Sequence, residues 1–196
     1  MEPHRYFILN KPIDMVSQFV STHDVRLLGA VDFEFPEGTH AIGRLDKATE
    51  GLLLLTTDKK ITRLLFQGKQ PHSRTYIVQV KNKVSSETIE KLSGGILISA
   101  PMGEKYMTTP CQVTLIDPPD YIQHPERKLY ESQKSSWLEI VLTEGRYHQV
   151  RKMVAAVSHK CIRLIRRSIE EIDIRDMEVG EVREVSKEWF YERLKL

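Results

Sequence analysis

Cysteine is scarce in this sequence, whose 196 residues include only Cys111 and Cys161. So few cysteines exclude a disulfide framework and a cysteine-rich metal site, and they fit a reducing compartment. Long apolar runs are missing too: no eighteen consecutive residues are apolar, and the N-terminal MEPHRYFILN has too short an apolar stretch for a secretory signal. We therefore expect a soluble, uncleaved protein of the cytoplasm.

Sequence motifs for nucleotide phosphates and for catalytic metals are also absent. The chain contains neither GxxxxGKS/T nor GxGxxG, so no phosphate cradle or dinucleotide fold is indicated. Its seven histidines include no HExxH pair and no CxxC partner. We expect a protein that works without a metal and without an organic cofactor.

The formal net charge of +2 conceals an uneven distribution along the chain. Residues 144–167 carry seven basic side chains and one acid, whereas residues 168–196 carry nine acids and five bases. A block with a charge of +6 suits a polyanionic partner, because Lys and Arg placed on phosphates release condensed counterions. A solvated charged face is the alternative that charge alone leaves open.

The chain is long enough, and at 40% hydrophobic content apolar enough, to bury a core, which predicts one domain or two lobes that share a core. Residue patterns predict helices at 59–66, from Ser85 or Ser86 to the glycines at 94 and 95, after Gly145, and at 187–196. Predicted strands are 6–9, 17–20, the run after Gly51, 74–81, 96–98, 112–116, 137–142, 161–169 and 169–174. Without strict β–α alternation, these elements indicate an α+β fold with a mixed, largely antiparallel central sheet and flanking helices. Residues 117–136 form a long polar loop.

The carboxylate of Asp46 lies next to an arginine, ahead of four leucines, in the stretch GRLDKATEGLLLLTTD. The leucine run has no polar residue on any face, which predicts a buried strand. Asp46 itself lies among turn formers and charges, in a loop that this strand would anchor. A reactive group on a loop held by a rigid scaffold is a common active-site arrangement, although a surface ion pair is the simpler explanation of an Arg-x-Asp triplet.

Five stretches resemble the motifs of a known enzyme family, the RNA pseudouridine synthases. They are NKP at 10–12, GRLDKATEGLLLLTTD at 43–58, RTYIVQV at 74–80, EGRYHQVRKM at 144–153 and RLIR at 163–166. The matches occur in the family's order and span about residues 8–167. The resemblance is to the RsuA branch, which modifies ribosomal RNA, and within it to the RluE-like large-subunit group.

The resemblance implies an architecture as well as an activity. It implies a single catalytic domain over residues 1–196, with two lobes that flank a basic active-site cleft. It implies no separate N-terminal RNA-binding domain, since the first motif begins at residue 10. The expected substrate is 23S large-subunit ribosomal RNA, and the expected state is a monomer.

The resemblance assigns the chemistry to Asp46. Pseudouridine forms when the N1–C1′ bond breaks, the uracil turns over while bound, and C5 bonds to C1′. Asp46 either attacks C1′ or removes a proton from C2′, and these alternatives stay open. By the same match, Arg151 favours the ionised carboxylate, Tyr76 stacks on the flipped base and handles the C5 proton, and Arg44 occupies the gap that the base leaves.

RNA affinity is expected from a group of largely basic residues in and around the late motifs. The group comprises Lys11, Arg146, His148, Gln149, Lys152, Arg163, Leu164, Arg166 and Arg167, of which Leu164 is an apolar wall of the pocket. Tyr147 departs from the branch, which often has a smaller polar residue there. Two other functions compete: a non-catalytic RNA-binding or ribosome-assembly module, and a hydrolytic N-glycosylase that uses Asp46 with Glu50, since hydrolysis usually needs two carboxylates.

Overall fold

The computed structural model describes residues 3–68, 70–122 and 134–196. The chain divides into two compact units. The first unit runs to His72 and resumes at Ile165 until the end of the chain, and the second unit comprises Ser73–Leu164. No helix of the described residues is both long enough and apolar enough to cross a membrane.

Strands and helices are numbered in chain order. The strands are β1 (Tyr6–Lys11), β2 (His40–Ile42), β3 (Glu50–Thr56), β4 (Arg74–Lys81), β5 (Leu97–Ser99), β6 (Lys105–Met107), β7 (Gln112–Ile116), β8 (Ser135–Leu142), β9 (Cys161–Ile169), β10 (Ile172–Asp173) and β11 (Val182–Val185). The α-helices are α1 (Ile61–Gln67), α2 (Ser86–Ser93), α3 (Gln149–Ala156) and α4 (Lys187–Leu194). Short 3-10 turns occur at Leu28–Ala30, Pro101–Gly103 and Asp120–Ile122.

The first unit is built around β3, whose seven residues are all buried. Strand β1 pairs antiparallel with β3 and with β11, β2 pairs antiparallel with β3, and β10 does so with β9. The pairing of β3 with β9 is parallel and sets Gly51 opposite Arg166. A strand covered on both faces needs apolar residues on both, which explains the unbroken leucine run.

The second unit contains an antiparallel sheet in which β8 pairs with β4 on one side and with β7 on the other. Burial along β8 alternates strictly, so one of its faces belongs to the core. Helix α3 adds Val150, Met153 and Val154 to that core. A separate hairpin is formed by β5 and β6. Helix α2 begins after Ser85, whose side chain accepts a hydrogen bond from the Thr88 N–H, as expected of a cap.

The α+β class and the largely antiparallel pairing are confirmed, and the strands expected at 74–81, 112–116 and 161–169 have these bounds. The strand expected at 17–20 is wrong. There the chain forms a loop that is closed by two backbone hydrogen bonds. The Val16 N–H donates to Arg26 O, and the Leu28 N–H donates to Gln18 O. The loop expected at 117–136 contains a 3-10 turn, and it ends where β8 begins at Ser135. Its residues 123–133 lie outside the described part of the chain.

Candidate active site

Asp46 lies on the connection between β2 and β3, which we call the Asp46 loop (residues 43–49). The carboxylate residue is half-buried, and its carbonyl oxygen accepts a hydrogen bond of 2.9 Å from the Thr49 N–H. The loop therefore turns tightly before it enters the buried strand β3. This is the loop-on-scaffold arrangement expected from the sequence.

Two residues of the preceding segment hold the backbone of the Asp46 loop. The Ser17 hydroxyl donates to Leu45 O and accepts from Leu45 N–H, each at 2.9 Å, so it satisfies both polar groups of the residue before Asp46. The Asp14 N–H donates to Lys47 O at 2.9 Å, on the other side of Asp46. The backbone of Asp46 is thus fixed from both flanks.

A buried cation lies among the charges of this loop. Lys11 is fully buried, and its Nζ donates to Pro12 O at 2.9 Å and to Met15 O at 2.7 Å. Burial lowers the pKa of Lys11 to about 8, with Arg166 acting in the same direction. The carboxylates of Glu50, Asp14 and Asp46 act in the opposite direction, so the charge of Asp46 interacts with a cation of its own unit.

Arg44 and Phe66 mark the accessible side of the Asp46 loop. Arg44 is exposed, and the Phe66 side chain is 41% exposed. The Phe66 ring lies against Gly43, because a Cβ built there would come within 2.7 Å of Phe66 Cζ. Helix α1 therefore supports the start of the loop through an aromatic ring that solvent also reaches.

Tyr76 and Arg151 belong to the second unit. Tyr76 is half-buried on β4, opposite Ile140, and packs against the core of that unit. Arg151 is half-buried on α3, and its Nη1 donates to Cys161 Sγ at 3.6 Å. Burial raises the pKa of the Cys161 thiol, against the opposing effect of the Arg151 charge.

The late arginine motif forms a loop and the start of α3, which we call the basic segment (residues 143–152). Glu144 organises it: its carboxylate accepts hydrogen bonds from Gln149 Nε2 at 2.6 Å, from Thr109 N–H at 3.0 Å and from the Tyr106 hydroxyl. Gln149 also accepts from Arg146 N–H at 2.9 Å. The loop is thereby fixed by side chains before any ligand binds.

The outer surface of the basic segment pairs cations with aromatic rings. The Arg146 guanidinium lies 4.2 Å from the centre of the Tyr106 ring. Tyr147 stacks on His148, and the Lys152 ammonium lies 5.1 Å from the centre of the Tyr147 ring. Lys152 also donates to Ser99 O at 2.7 Å.

Several residues expected to contact RNA are buried in the structure. Lys11 is bonded to two carbonyls, as described, and Gln149 belongs to the Glu144 network. Arg163 Nη1 donates to Ile122 O at 2.7 Å, and Arg166 Nε donates to Leu52 O at 2.8 Å. Leu164 is part of the core of the second unit. These contacts are structural, because buried groups bonded to backbone oxygens are not presented to a phosphate.

Four members of that expected group are accessible. Arg146 is exposed, while His148, Lys152 and Arg167 are half-buried. The Arg167 guanidinium forms an ion pair of 3.2 Å with Asp173. Within the described ranges, no group of three or more His, Cys, Asp and Glu side chains is arranged to hold a metal ion.

Sequence reasoning missed Ser17 and the role of Glu144. Ser17 gives no signal in the sequence, because it belongs to a segment that is predicted to be a strand. Glu144 is the first residue of the motif EGRYHQVRKM, but the motif does not predict that three hydrogen-bond donors converge on its carboxylate. Phe66 was identified only as the end of a helix.

Comparisons with known proteins agree with one another. The family model described as RNA pseudouridylate synthase matches residues 5–156. The ribosomal large subunit pseudouridine synthase E of Vibrio parahaemolyticus is 32% identical over 186 residues, which are 94% of this chain and 75% of the relative. The ribosomal small subunit pseudouridine synthase A of Yersinia pestis is 31% identical over 185 residues, which are 94% of this chain and 70% of the relative. A crystal structure of a pseudouridylate synthase superposes with a TM-score of 0.78 at 29% identity, covering 99% of this chain and 75% of the other.

Proposed function

Because the chain belongs to the RNA pseudouridylate synthase family, we propose that it converts a uridine of large-subunit ribosomal RNA to pseudouridine, with Asp46 as the catalytic carboxylate. The observation that carries this assignment is the construction of the Asp46 loop. Its backbone is held on both flanks of Asp46 by Ser17 and Asp14, and it leads into a fully buried strand. A carboxylate that acts at one atom of a ribose needs such a fixed position.

The reaction conserves the atomic composition of the substrate. The N1–C1′ bond breaks and the C5–C1′ bond forms, while C5 loses its proton to solvent and N1 gains one. Asp46 acts at the ribose, either by attack on C1′ or by removal of the C2′ proton. Neither route consumes water, so one carboxylate suffices where a hydrolytic glycosidase usually needs two.

Three further residues keep the roles that the family resemblance implies. The resemblance assigns Arg151 as the cation that stabilises the charge of the catalytic carboxylate. Tyr76 stacks on the extruded base and takes part in the loss of the C5 proton. Arg44 occupies the place of the base in the RNA, which offsets part of the cost of extrusion. The exposure of Arg44 is compatible with this role.

RNA binding is assigned to the accessible cations. The proposed RNA-binding residues are Arg146, Lys152 and Arg167, together with His148. We assign a structural role to the buried Lys11, Arg163 and Arg166. Large-subunit RNA is proposed as the substrate because the synthase E relatives are named for it. We propose further that the enzyme acts as a monomer in the cytoplasm.

The hydrolytic alternative loses support at Glu50. That residue is only 6% exposed, and of the charged groups around the buried Lys11 ammonium it exerts the largest attraction. A carboxylate engaged in this way is poorly suited to activate a water or to protonate a leaving group. A non-catalytic binding module has no need of a fixed carboxylate that faces a polyanion.

The test uses unmodified ribosomal RNA with tritium at uridine C5, since formation of the new bond expels that hydrogen into water. Wild type is expected to release tritium from large-subunit RNA in proportion to one site, without free uracil. Asp46→Asn should release none while its circular dichroism and its affinity for RNA stay near those of wild type. Asp14→Asn is the matched control, because that carboxylate also acts on Lys11 and belongs to the same part of the unit.

Each other outcome contradicts a defined part of the proposal. Free uracil in place of retained base would indicate the N-glycosylase. Tritium release from small-subunit RNA alone would show that the substrate is the RNA of that subunit. Full release by Asp46→Asn, or equal loss in Asp14→Asn, would remove the catalytic role from Asp46.

A further inference from the structure

Tyr147 is an aromatic side chain that the fold leaves largely in solvent. It is 65% exposed, although it lies in a loop whose neighbours Glu144 and Gln149 are tightly bonded. Its ring stacks on that of His148, with the ring centres 3.9 Å apart and an angle of 19° between the planes. An exposed aromatic ring that lies flat on a second ring presents a planar surface to solvent rather than to a core.

Positive charge surrounds this stacked pair. The Lys152 ammonium lies 5.1 Å from the centre of the Tyr147 ring, and the preceding residue, Arg146, lies over the ring of Tyr106. Sites for single-stranded nucleic acid combine these two elements, since bases stack on aromatic rings while cations follow the phosphates. Arg and Lys near ring faces add cation–π attraction.

The backbone presents this pair in a fixed conformation. His148 has a φ of 55°, a left-handed value that costs energy for a residue other than glycine, and it lies immediately before α3. Hydrogen bonds between Arg146 and Gln149, and between Gln149 and Glu144, close the loop on either side. A site ordered in advance loses little entropy on binding.

We propose that the Tyr147–His148 stack is a platform for one unpaired base of the RNA, with Arg146 and Lys152 on the adjoining phosphates. The ligand class is single-stranded RNA, because a base within a duplex is already stacked on both faces. This inference rests on the proposed function for the identity of the ligand. It adds a base contact outside the reaction itself and assigns that contact to Tyr147.

The experiment separates stacking from charge. Fluorescence anisotropy measures the affinity of the full chain for two labelled strands of equal length and charge: a uridine dodecamer and the same ribose-phosphate strand without bases. Conversion of uridine to pseudouridine changes neither the charge of the strand nor the number of its bases, so turnover leaves the comparison of the two strands valid. Wild type is expected to bind the base-bearing strand more tightly.

Tyr147→Ala should weaken binding of the uridine strand about tenfold, which is the scale of one lost stacking contact. Its affinity for the strand without bases should not change, and neither should the salt dependence, since no charge is removed. Tyr147→Trp should retain the affinity for uridine. Leu115→Ala, which truncates another half-exposed apolar side chain of the second unit, is the control and should change neither affinity.

Two results would overturn the platform. The first is an equal loss for both strands, which would mean that Tyr147 supports the loop or its cations; the second is no loss for either. Tritium release tests the proposed function separately. If wild type releases tritium but Tyr147→Ala shows no selective loss of affinity for the uridine strand, the platform alone is refuted. If that selective loss is found but wild type releases no tritium, the catalytic proposal alone is refuted.

Discussion

The Asp46 loop and the basic segment both carry charged side chains, yet they are built in opposite ways. In the Asp46 loop, backbone groups are bonded by Ser17 and Asp14, and Lys11, whose charge interacts with that of Asp46, is buried. In the basic segment, the hydrogen bond between Gln149 and Glu144 holds the loop from within. The Arg146 guanidinium and the Tyr147 ring lie on its outer surface, each against another aromatic ring. One region fixes a single carboxylate, and the other presents a surface.

This difference teaches how the two tasks are separated in the chain. Chemistry at one ribose atom requires a group held to within fractions of an ångström, and backbone bonds on a buried strand supply that precision. RNA binding requires accessible charge and planar area, which individual side chains supply without a buried scaffold of their own. Changes in the first region are therefore expected to affect folding and turnover, and changes in the second are expected to affect affinity.

The largest effect is expected from Gly51→Ala, which tests whether β3 anchors the Asp46 loop. Gly51 has a φ of 100°, and a Cβ there would clash with the backbone of Arg166 on β9. Strain and overpacking together should lower the free energy of unfolding by about 3 kcal/mol or more. Urea unfolding measures this, with Gly29→Ala as control, because a Cβ at Gly29 meets no atom within 4 Å. Equal stability of the two variants would contradict the anchoring role.

Ser17→Ala tests the clamp on the Asp46 loop itself. The change leaves the buried backbone groups of Leu45 without their partner, which should cost about 1–3 kcal/mol. We expect kcat for tritium release to fall by about tenfold to a hundredfold with little change in KM, because the carboxylate loses its position. Ser17→Thr, which keeps the hydroxyl, should recover part of kcat.

The control for this variant is Ser85→Ala, which removes the N-cap of α2 in the second unit. Its cost in stability should be about 1 kcal/mol, comparable to that of Ser17→Ala, while kcat stays near that of wild type. If both serine variants lose kcat in proportion to stability, Ser17 supports only the fold and does not position Asp46.

Lys11→Met is expected to have the smallest effect, and it concerns pH. Burial lowers the pKa of Lys11 to about 8, so between that pH and about 10.5 the unfolded chain binds more protons at this residue than the folded chain. The stability of wild type relative to Lys11→Met should therefore rise with pH across this window, by no more than about 1.4 kcal/mol per pH unit.

Urea unfolding of both proteins at several pH values measures this difference. The same series on Lys47→Met, which removes an exposed ammonium of the Asp46 loop, corrects for the general effect of one lost charge. A difference that is constant or that falls as the pH rises would contradict the buried, destabilised ammonium.

The strands with strong local signals could be predicted from the sequence. Strand β4 is rich in β-branched residues and Tyr, and β9 contains three isoleucines; both have the predicted bounds. Strands β2, β6 and β11 have three or four residues each and were not predicted, because pairing with a neighbour rather than composition defines them. The strand predicted at 17–20 is a loop in the structure, because the backbone there is hydrogen-bonded to Arg26 and Leu28 rather than to a neighbouring strand.

The site was predictable at the level of residue type but not of environment. Asp46 stands out because it is an acid among turn-forming residues ahead of a buried strand, and its role remains a prediction. A lysine in NKP and arginines in RLIR suggest RNA contacts, because sequence shows charge without showing burial. Lys11 and Arg166 are instead bonded to backbone oxygens. Whether such a basic side chain is buried depends on residues that are distant in the sequence, and one sequence alone does not reveal these partners.

The most direct test of this separation is single-turnover tritium release, measured over a range of large-subunit RNA concentrations for wild type, Asp46→Asn and Tyr147→Ala. The account predicts that Asp46→Asn has no release at any concentration while it binds RNA normally. It predicts that Tyr147→Ala reaches the wild-type plateau at a higher RNA concentration. Release by Asp46→Asn at the wild-type plateau, or a lowered plateau with unchanged half-saturation in Tyr147→Ala, would contradict it.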